Sequence, residues 1–223
     1  MTRKFFWDNP YLTELDTRVV SVQDDEVTLA ETIFYAFSGA QESDSGTIGN
    51  KPVILARKDG PDIIYTLPAN HTLNVGDVVK VAIDWDRRYR LMRLHFAAEI
   101  VLELASQNLP GIKKIGAHIA ADKARIDFDW GLNISTAFPL LMDKANAIIA
   151  ANHPIMSAFS DESQQRRYWE IEGFAHVPCG GTHLRNTGDV GQIALKRKNV
   201  GKAKERIEIV LLEAARPGLT TQS

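Results

Sequence analysis

The sequence places a cysteine and a histidine at a spacing that suits a metal ion. Cys179 is the single cysteine of the 223 residues, and His183 follows it by four positions in the Gly-rich run CGGTHLRNTGDVG. Thiolate and imidazole are two of the ligands that zinc prefers in proteins. A free cysteine is usually a small buried hydrophobe, but Gly180 and Gly181 are more typical of a loop that wraps closely around a ligand.

A second pair with the same spacing lies upstream, where His95 and Glu99 occur in the helix-like run RLHFAAEIVLEL. Residues four apart on a helix share one face, and this face is otherwise largely apolar. Glu99 could lie at the edge of that face and reach solvent or an arginine. An inward carboxylate is costly unless it is paired or bound to a cation, so a metal is the other explanation. Together the pairs predict one zinc ion per chain, held by His95, Glu99, Cys179 and His183.

Composition limits the classes of function. Lys and Arg number 26 against 28 acidic residues, which argues against nucleic-acid binding by bulk charge but leaves room for a local patch. A single cysteine excludes an internal disulfide. The chain contains no run near the roughly 20 apolar residues of a membrane helix, and its first residues lack the apolar segment of a signal peptide. We therefore expect a cytoplasmic protein that does not enter a membrane.

Short strands are predicted in the first third of the chain. TRVVSV and EVTLAETIFYAF flank the polar turn 23–25, and KPVILARKDGPDIIYTLP contains a second turn at 58–61. A further alternating strand, VGDVVKVAIDW, follows. Several strands joined by tight turns predict a small β-barrel-like domain in residues 1–86.

From Arg87 the apolar period becomes helical and ends before the sequence NLPG at 108–111. KARIDFDW, RRYWEIEGFAHV, QIALKRKNV and RIEIVLLEA are each predicted as a strand, and FPLLMDKANAIIAAN as a helix. Because helices and strands alternate without a regular βαβ repeat, the predicted class is α+β. We assign residues 87–215 to an α+β metal-binding domain and residues 216–223 to a frayed tail.

Five segments, in this order and spacing, resemble one known family. They are DNPYLTELDTRVVSV, TIFYAFSGAQESDSGTI, VGDVVKVAIDWDRRYRLMRLHFAAEIV, KARIDFDW and PCGGTHLRNTGDVG. The chain resembles the trans-editing alanyl-tRNA deacylases, which are free-standing relatives of the editing domain of alanyl-tRNA synthetase. The resemblance runs from about residue 5 to about residue 212. It implies a two-layer α+β editing-type domain with a zinc site.

The same resemblance implies an activity. The family hydrolyses mischarged aminoacyl-tRNA, typically serine and sometimes glycine on tRNA(Ala), so the expected partner is mischarged tRNA. No ATP is expected, because editing-type sequence leaves no room for a synthetase core. One alternative is a non-catalytic tRNA-binding protein, or a degenerate relative, with a structural zinc, and another is a zinc hydrolase that acts on a small-molecule ester or amide. No feature of the sequence specifies an oligomeric state.

The family's zinc motifs, HxxxH and CxxxH, match His95, Cys179 and His183, but Glu99 stands where the family has its second histidine. Three explanations remain open. Glu99 could be the fourth ligand, it could be a general base beside a metal-bound water, or zinc could be lost.

Other site residues are expected from position. Gln41 matches the glutamine of a Gly-rich family loop, which in this chain is altered to SGAQ at 38–41, and Gln41 and Thr182 are predicted to be catalytic. Thr182, Gly180 and Gly181 are candidates for contacting the ester or the ribose. Four arginines crowd residues 87–93 beside the His95 helix, and of these Arg88 and Arg93 are predicted to bind the substrate. A solvated surface is the ordinary explanation for such a cluster.

Overall fold

The computed structural model describes residues 1–212, and their buried apolar side chains form two clusters. One cluster is drawn from residues 6–83 and the other from residues 91–209. The predicted tail at 216–223 lies outside the described residues, as does the end of the segment 87–215. Within residues 1–212, no helix combines the length and apolarity that crossing a bilayer requires.

The first cluster is enclosed by short strands. They are β1 (Arg3–Lys4), β2 (Glu14–Gln23), β3 (Glu26–Leu29), β4 (Glu31–Thr32), β5 (Gly46–Ile48), β6 (Lys51–Pro52), β7 (Leu55–Asp59), β8 (Asp62–Thr66) and β9 (Val78–Ile83), with a one-turn helix α1 (Phe5–Asp8) after β1. Strands β3, β8 and β9 alternate buried and less buried residues, as expected when one face of a sheet covers a core.

Seven of these strands form a curled antiparallel sheet in the order β6-β5-β9-β2-β3-β8-β7. Its two outermost strands, β6 and β7, are consecutive parts of one chain segment, so the sheet curls until its edges meet. Val27, Tyr65 and Val81 are fully buried inside it. The β2–β3 and β7–β8 hairpins confirm both predicted turns.

The second cluster is covered by two longer helices and two further sheets. Their elements are α2 (Trp85–Asn108), β10 (Lys113–Ile119), β11 (Ala124–Asp129), α3 (Phe138–Ala151), β12 (Met156–Asp161), β13 (Arg166–Ile171), β14 (Ala175–Pro178), β15 (Ile193–Gly201) and β16 (Lys204–Leu211). One sheet has the order β10-β11-β16-β15 and the other the order β12-β13-β14. The structure is thus a mixture of helices and antiparallel sheets, and it agrees with the α+β prediction at that level.

Two predicted boundaries differ from the structure. Helix α2 begins at Trp85, earlier than predicted, because the Asp84 side chain caps it by accepting a hydrogen bond from the Arg87 N–H. The run RRYWEIEGFAHV is two strands, β13 and β14, and not one. Gly173 lies between them with φ +74°, a left-handed conformation that allows the tight turn.

Arg88 joins helix α2 to loops of the N-terminal part of the chain from a fully buried position. Its side chain is fully buried beside Asp44, with Nε donating to Asp44 Oδ1 at 2.8 Å. Its other nitrogens donate to the carbonyls of Pro10 (2.8 Å) and Ile33 (2.6 Å). The structure thus places Arg88 inside the protein with all its recorded hydrogen bonds to protein groups, and its substrate-binding role stays a prediction.

Replacing Asp44 with alanine should leave a guanidinium buried without its counter-ion. We expect Asp44→Ala to lower the free energy of unfolding by about 3–5 kcal/mol, measured by urea denaturation. Glu14→Ala is the control, because Glu14 pairs with Lys80 at 2.7 Å on the exposed surface and should matter far less. Equal losses in the two variants would show that Arg88 does not hold the helix to these loops.

Candidate metal centre

Three metal-binding side chains meet where helix α2 faces the loop after β14. His95, Cys179 and His183 offer donor atoms that all lie within 4.8 Å of one another. The Cys179 Sγ is 3.5 Å from His95 Nε2 and 3.3 Å from His183 Nε2. The structure therefore brings together the two sequence motifs whose spacing predicted a shared site.

Neighbouring strands fix the orientation of the thiol and of one imidazole. The N–H of Cys179 donates to the carbonyl of Arg167 on β13, at 2.9 Å, so strand pairing determines where the thiol points. The Nδ1 of His183 lies 2.8 Å from the hydroxyl of Ser157 on β12. This contact turns Nε2 toward the cysteine, in the way that outer partners orient metal-binding histidines.

Glu99 points into this cluster. Its Oε1 is 3.3 Å from His95 Nε2 and 3.8 Å from Cys179 Sγ. Its Oε2 accepts a hydrogen bond of 3.2 Å from Trp169 Nε1. Glu99 is largely buried, with 14% of its side chain exposed, and it pairs with no arginine among residues 1–212.

The donor groups shift one another's protonation strongly. Burial alone would lower the pKa of His95, but Cys179 and Glu99 outweigh it and raise that pKa to about 10. Burial would raise the pKa of Cys179, whereas the two imidazoles lower it to about 6. The pKa of Glu99 is likewise lowered, because its contacts with His95 outweigh burial. At neutral pH the site thus holds a thiolate and a carboxylate beside a protonated His95, and a cation that binds this imidazole has to displace its proton.

This set of donors fits a zinc ion. Imidazole, thiolate and carboxylate are the groups that zinc takes as ligands in proteins, usually four at a time. The Nε2 atoms of both histidines face the thiolate, and the Ser157 hydroxyl already occupies the far nitrogen of His183. The residues that would hold the ion are His95, Cys179 and His183, with the carboxylate of Glu99 beside them.

Gln41 and Thr182 connect the two halves of the chain next to the cluster. Gln41 Nε2 donates to Thr182 Oγ1 at 2.9 Å, and the Thr182 N–H donates to Gln41 Oε1 at 3.2 Å. Both side chains are buried, so this geometry supports positioning of the CGGTH loop. Their direct catalytic role stays a prediction.

The altered loop before Gln41 keeps a glycine-like backbone. Gly39 has φ +57° and Ala40 has φ +74°, and the latter is a left-handed conformation that alanine seldom adopts. The loop therefore accepts local strain at Ala40 to place Gln41 against Thr182.

Two cavities border the cluster. A cleft of about 380 Å³ lies between the N-terminal segment and the second core, and Gly181 and His183 form part of its wall. A much smaller pocket of about 20 Å³ touches Gly39, His95 and Glu99. Gly180 follows Cys179 in the CGGTH loop, and its carbonyl accepts a hydrogen bond of 2.9 Å from Trp7 Nε1.

Arg93 lies apart from the donor atoms. Its Nε donates to the carbonyl of Val190 at 3.0 Å, and its guanidinium lies 5.9 Å from the centre of the Tyr89 ring. The structure therefore does not bring Arg93 to the metal cluster, and its substrate-binding role stays a prediction.

Sequence reasoning missed Ser157, because β12 shows no clear strand pattern. It also missed Trp169, which a regular alternation along β13 would have placed inward.

Comparison with known proteins places the chain in a family. Residues 168–208 match the family described as "Threonyl and Alanyl tRNA synthetase second additional domain". The alanyl-tRNA editing protein AlaX-M of Pyrococcus horikoshii is 31% identical over 215 residues, which cover 95% of this chain and 98% of that protein. AlaX-M of Methanosarcina acetivorans is 32% identical, and the alignment covers 96% of this chain and 100% of that protein. The chain belongs to the trans-editing AlaX family.

A similarity to alanine–tRNA ligases accompanies this membership. The ligase of Methanococcus aeolicus is 31% identical over 93% of this chain, but the match covers only 25% of the ligase. The AlaX chain thus corresponds to one part of that larger enzyme. The resemblance inferred from the ordered motifs is confirmed.

The packing of Gly181 against His95 generates a prediction. A Cβ on Gly181 would overlap the His95 ring and lie 3.0 Å from Gln41 Oε1. We expect Gly181→Ala to displace His95 and weaken zinc binding by about 10- to 100-fold, measured by competition with a chelating dye. Gly180→Ala is the matched control, because a Cβ there meets nothing within 4 Å. Equal zinc affinity in both variants would contradict the proposed contact.

Proposed function

We propose that the chain hydrolyses the ester bond of mischarged aminoacyl-tRNA in trans, with seryl-tRNA(Ala) as its main substrate and glycyl-tRNA(Ala) as a second. The observation that carries this proposal is the convergence of His95, Cys179 and His183 in a member of the AlaX family. Relatives that match over almost their whole length are named alanyl-tRNA editing proteins.

The reaction makes modest chemical demands. Water adds to the ester carbonyl, the bond between the acyl carbon and the ribose oxygen breaks, and a free amino acid and a 3′-hydroxyl are released. A site must hold the terminal ribose, position the water and stabilise the negative oxygen that develops. A zinc ion in the cluster would supply Lewis-acid polarisation of the ester or orientation of the substrate. The CGGTH loop and the Gln41–Thr182 contact would keep the approach to the cluster rigid.

We further propose that Glu99 is a zinc ligand, which gives one zinc per chain bound by His95, Glu99, Cys179 and His183. Both of its oxygens are engaged, because Oε1 faces the other donor atoms and Oε2 accepts from Trp169. A general base would instead need an oxygen directed at a water molecule. The Trp169 hydrogen bond orients the carboxylate as outer partners orient other metal ligands.

Deacylation of mischarged tRNA tests the proposed function. The purified protein should contain close to one zinc per chain by elemental analysis and should release serine from seryl-tRNA(Ala). Cys179→Ala removes the thiolate, so it should lose zinc and lower the rate by about 100-fold or more. Correctly charged alanyl-tRNA(Ala) is the substrate control and should stay intact. A zinc-loaded protein that leaves every mischarged tRNA intact would instead have the non-catalytic tRNA-binding role.

Two substitutions at Glu99 distinguish a zinc-ligand role from a general-base role. If Glu99 is a ligand, Glu99→Gln should lower zinc content and activity together. Glu99→His should retain both, because imidazole is an equally good zinc ligand. Zinc content and seryl-tRNA(Ala) hydrolysis are measured in parallel. Retention of zinc with loss of hydrolysis in Glu99→Gln would show that Glu99 is a base.

A further inference from the structure

Arg167 is a buried cation without a counter-ion. The residue is 6% exposed, and its Nη2 donates to the carbonyl of Trp7 at 3.1 Å. Its Nε has no hydrogen-bond partner, and no carboxylate forms an ion pair with it, among residues 1–212. Its guanidinium carbon lies 4.6 Å from the centre of the Phe159 ring and 5.6 Å from that of Trp7.

The contrast with Arg88 shows that this arrangement is unusual within the protein. Arg88 is also buried, at 0% exposure against 6% for Arg167, but Asp44 neutralises its charge and two carbonyls accept further hydrogen bonds from it. Burying a charge without such partners is unfavourable. Burial accordingly lowers the pKa of Arg167, and the negative charges of Asp8 and Cys179 oppose this shift without reversing it. The fold thus retains a cation that its own contacts leave uncompensated.

The position of Arg167 indicates what would compensate it. Its side chain lines the cleft of about 380 Å³ whose wall also includes Gly181 and His183. This volume is in the range of roughly 300–1,000 Å³ that is typical of ligand sites. Arg185 also lines the cleft, and the one acidic residue in its wall, Asp8, lies 3.6 Å from Arg3 outside it. The cleft therefore suits a ligand with a negative group that can reach the metal centre.

We propose that Arg167 binds the phosphodiester next to the esterified ribose at the 3′ end of the tRNA. This proposal rests on the proposed function, which requires the terminal ribose to lie at the cluster. The adjoining phosphate is then one nucleotide length away, and the cleft leads from His183 to Arg167. A guanidinium forms strong, charge-assisted hydrogen bonds with phosphate, and Arg167 lines this cleft with no carboxylate paired to it among residues 1–212. Arg167 is thus a positioning residue for the ester.

Two substrates distinguish phosphate binding from a structural role. For Arg167→Met we expect the KM for seryl-tRNA(Ala) to rise by about 10- to 100-fold, with little change in kcat. Seryl-adenosine, which carries the ester but no phosphate, should be hydrolysed as fast as by the unmodified protein. Loss of the same factor with both substrates, or with neither, would overturn the proposal.

The matched control is Arg166→Met. Arg166 precedes Arg167 on β13, is exposed, and points to the opposite face of the strand. Its replacement by methionine therefore removes the same charge outside the cleft. Its KM for seryl-tRNA(Ala) should stay near that of the unmodified protein. Thermal unfolding of Arg167→Met should show an unchanged or higher Tm, because an uncompensated buried charge has been removed. A large fall in Tm would assign Arg167 to holding the fold, and would overturn the proposal.

Binding of a short RNA ending in CCA separates this proposal from the proposed function. A plot of the logarithm of the RNA affinity against the logarithm of salt concentration should be shallower for Arg167→Met than for the unmodified protein. The expected difference in slope is about 0.7, the value for one phosphate contact on a single strand. If the protein hydrolyses no mischarged tRNA but this difference persists, the editing activity fails and the phosphate site stands. If hydrolysis occurs and the slope is unchanged, the phosphate site fails alone.

Discussion

The mutual attraction of oppositely charged groups in a volume that excludes water is the constraint on which this structure depends. A thiolate, a carboxylate and two imidazoles lie within a few ångströms of one another, and each would be unfavourable there alone. Together His95, Glu99 and Cys179 stabilise one another's charged forms. Ser157 and Trp169 then occupy the outward atoms of His183 and Glu99, which limits how the cluster can rearrange.

Helix α2 connects this cluster of charged side chains to the rest of the chain. Arg88, His95 and Glu99 occur at intervals of seven and four residues, so they lie along one side of the helix. Its first turns are fixed to the N-terminal part of the chain by the ion pair with Asp44, and its middle turns face the loop after β14. The hydrogen bond between Gln41 and Thr182 also connects the N-terminal part of the chain to the loop after β14. Loops of the N-terminal part are therefore part of the support of the metal centre.

Local patterns predicted what depends on neighbours in sequence. The turns at 23–25 and 58–61, the long helix and the two four-residue spacings, His95 to Glu99 and Cys179 to His183, are all read from positions close together in the chain. Partners distant in sequence were not predictable in this way. In the sequence, the arginines at 87–93 resemble a solvated patch. Only the tertiary fold shows that Arg88 is buried and paired with Asp44. Likewise, the strand that carries Ser157 has no period that would mark it, and Arg167 is distinguished from Arg166 only by the face it occupies.

The curled sheet and the sheet of β10, β11, β16 and β15 differ in how their edges end. The first leaves no free edge, because its terminal strands are one continuous segment. The second ends in β15, whose outer backbone groups lack a strand partner within residues 1–212. Exposed Lys196 and Lys198 lie along this strand. Such edges can recruit a strand from another molecule, and a row of lysines repels a second copy of itself. Exposed Lys196 and Lys198 therefore disfavour edge-to-edge pairing of β15 with a second copy of itself.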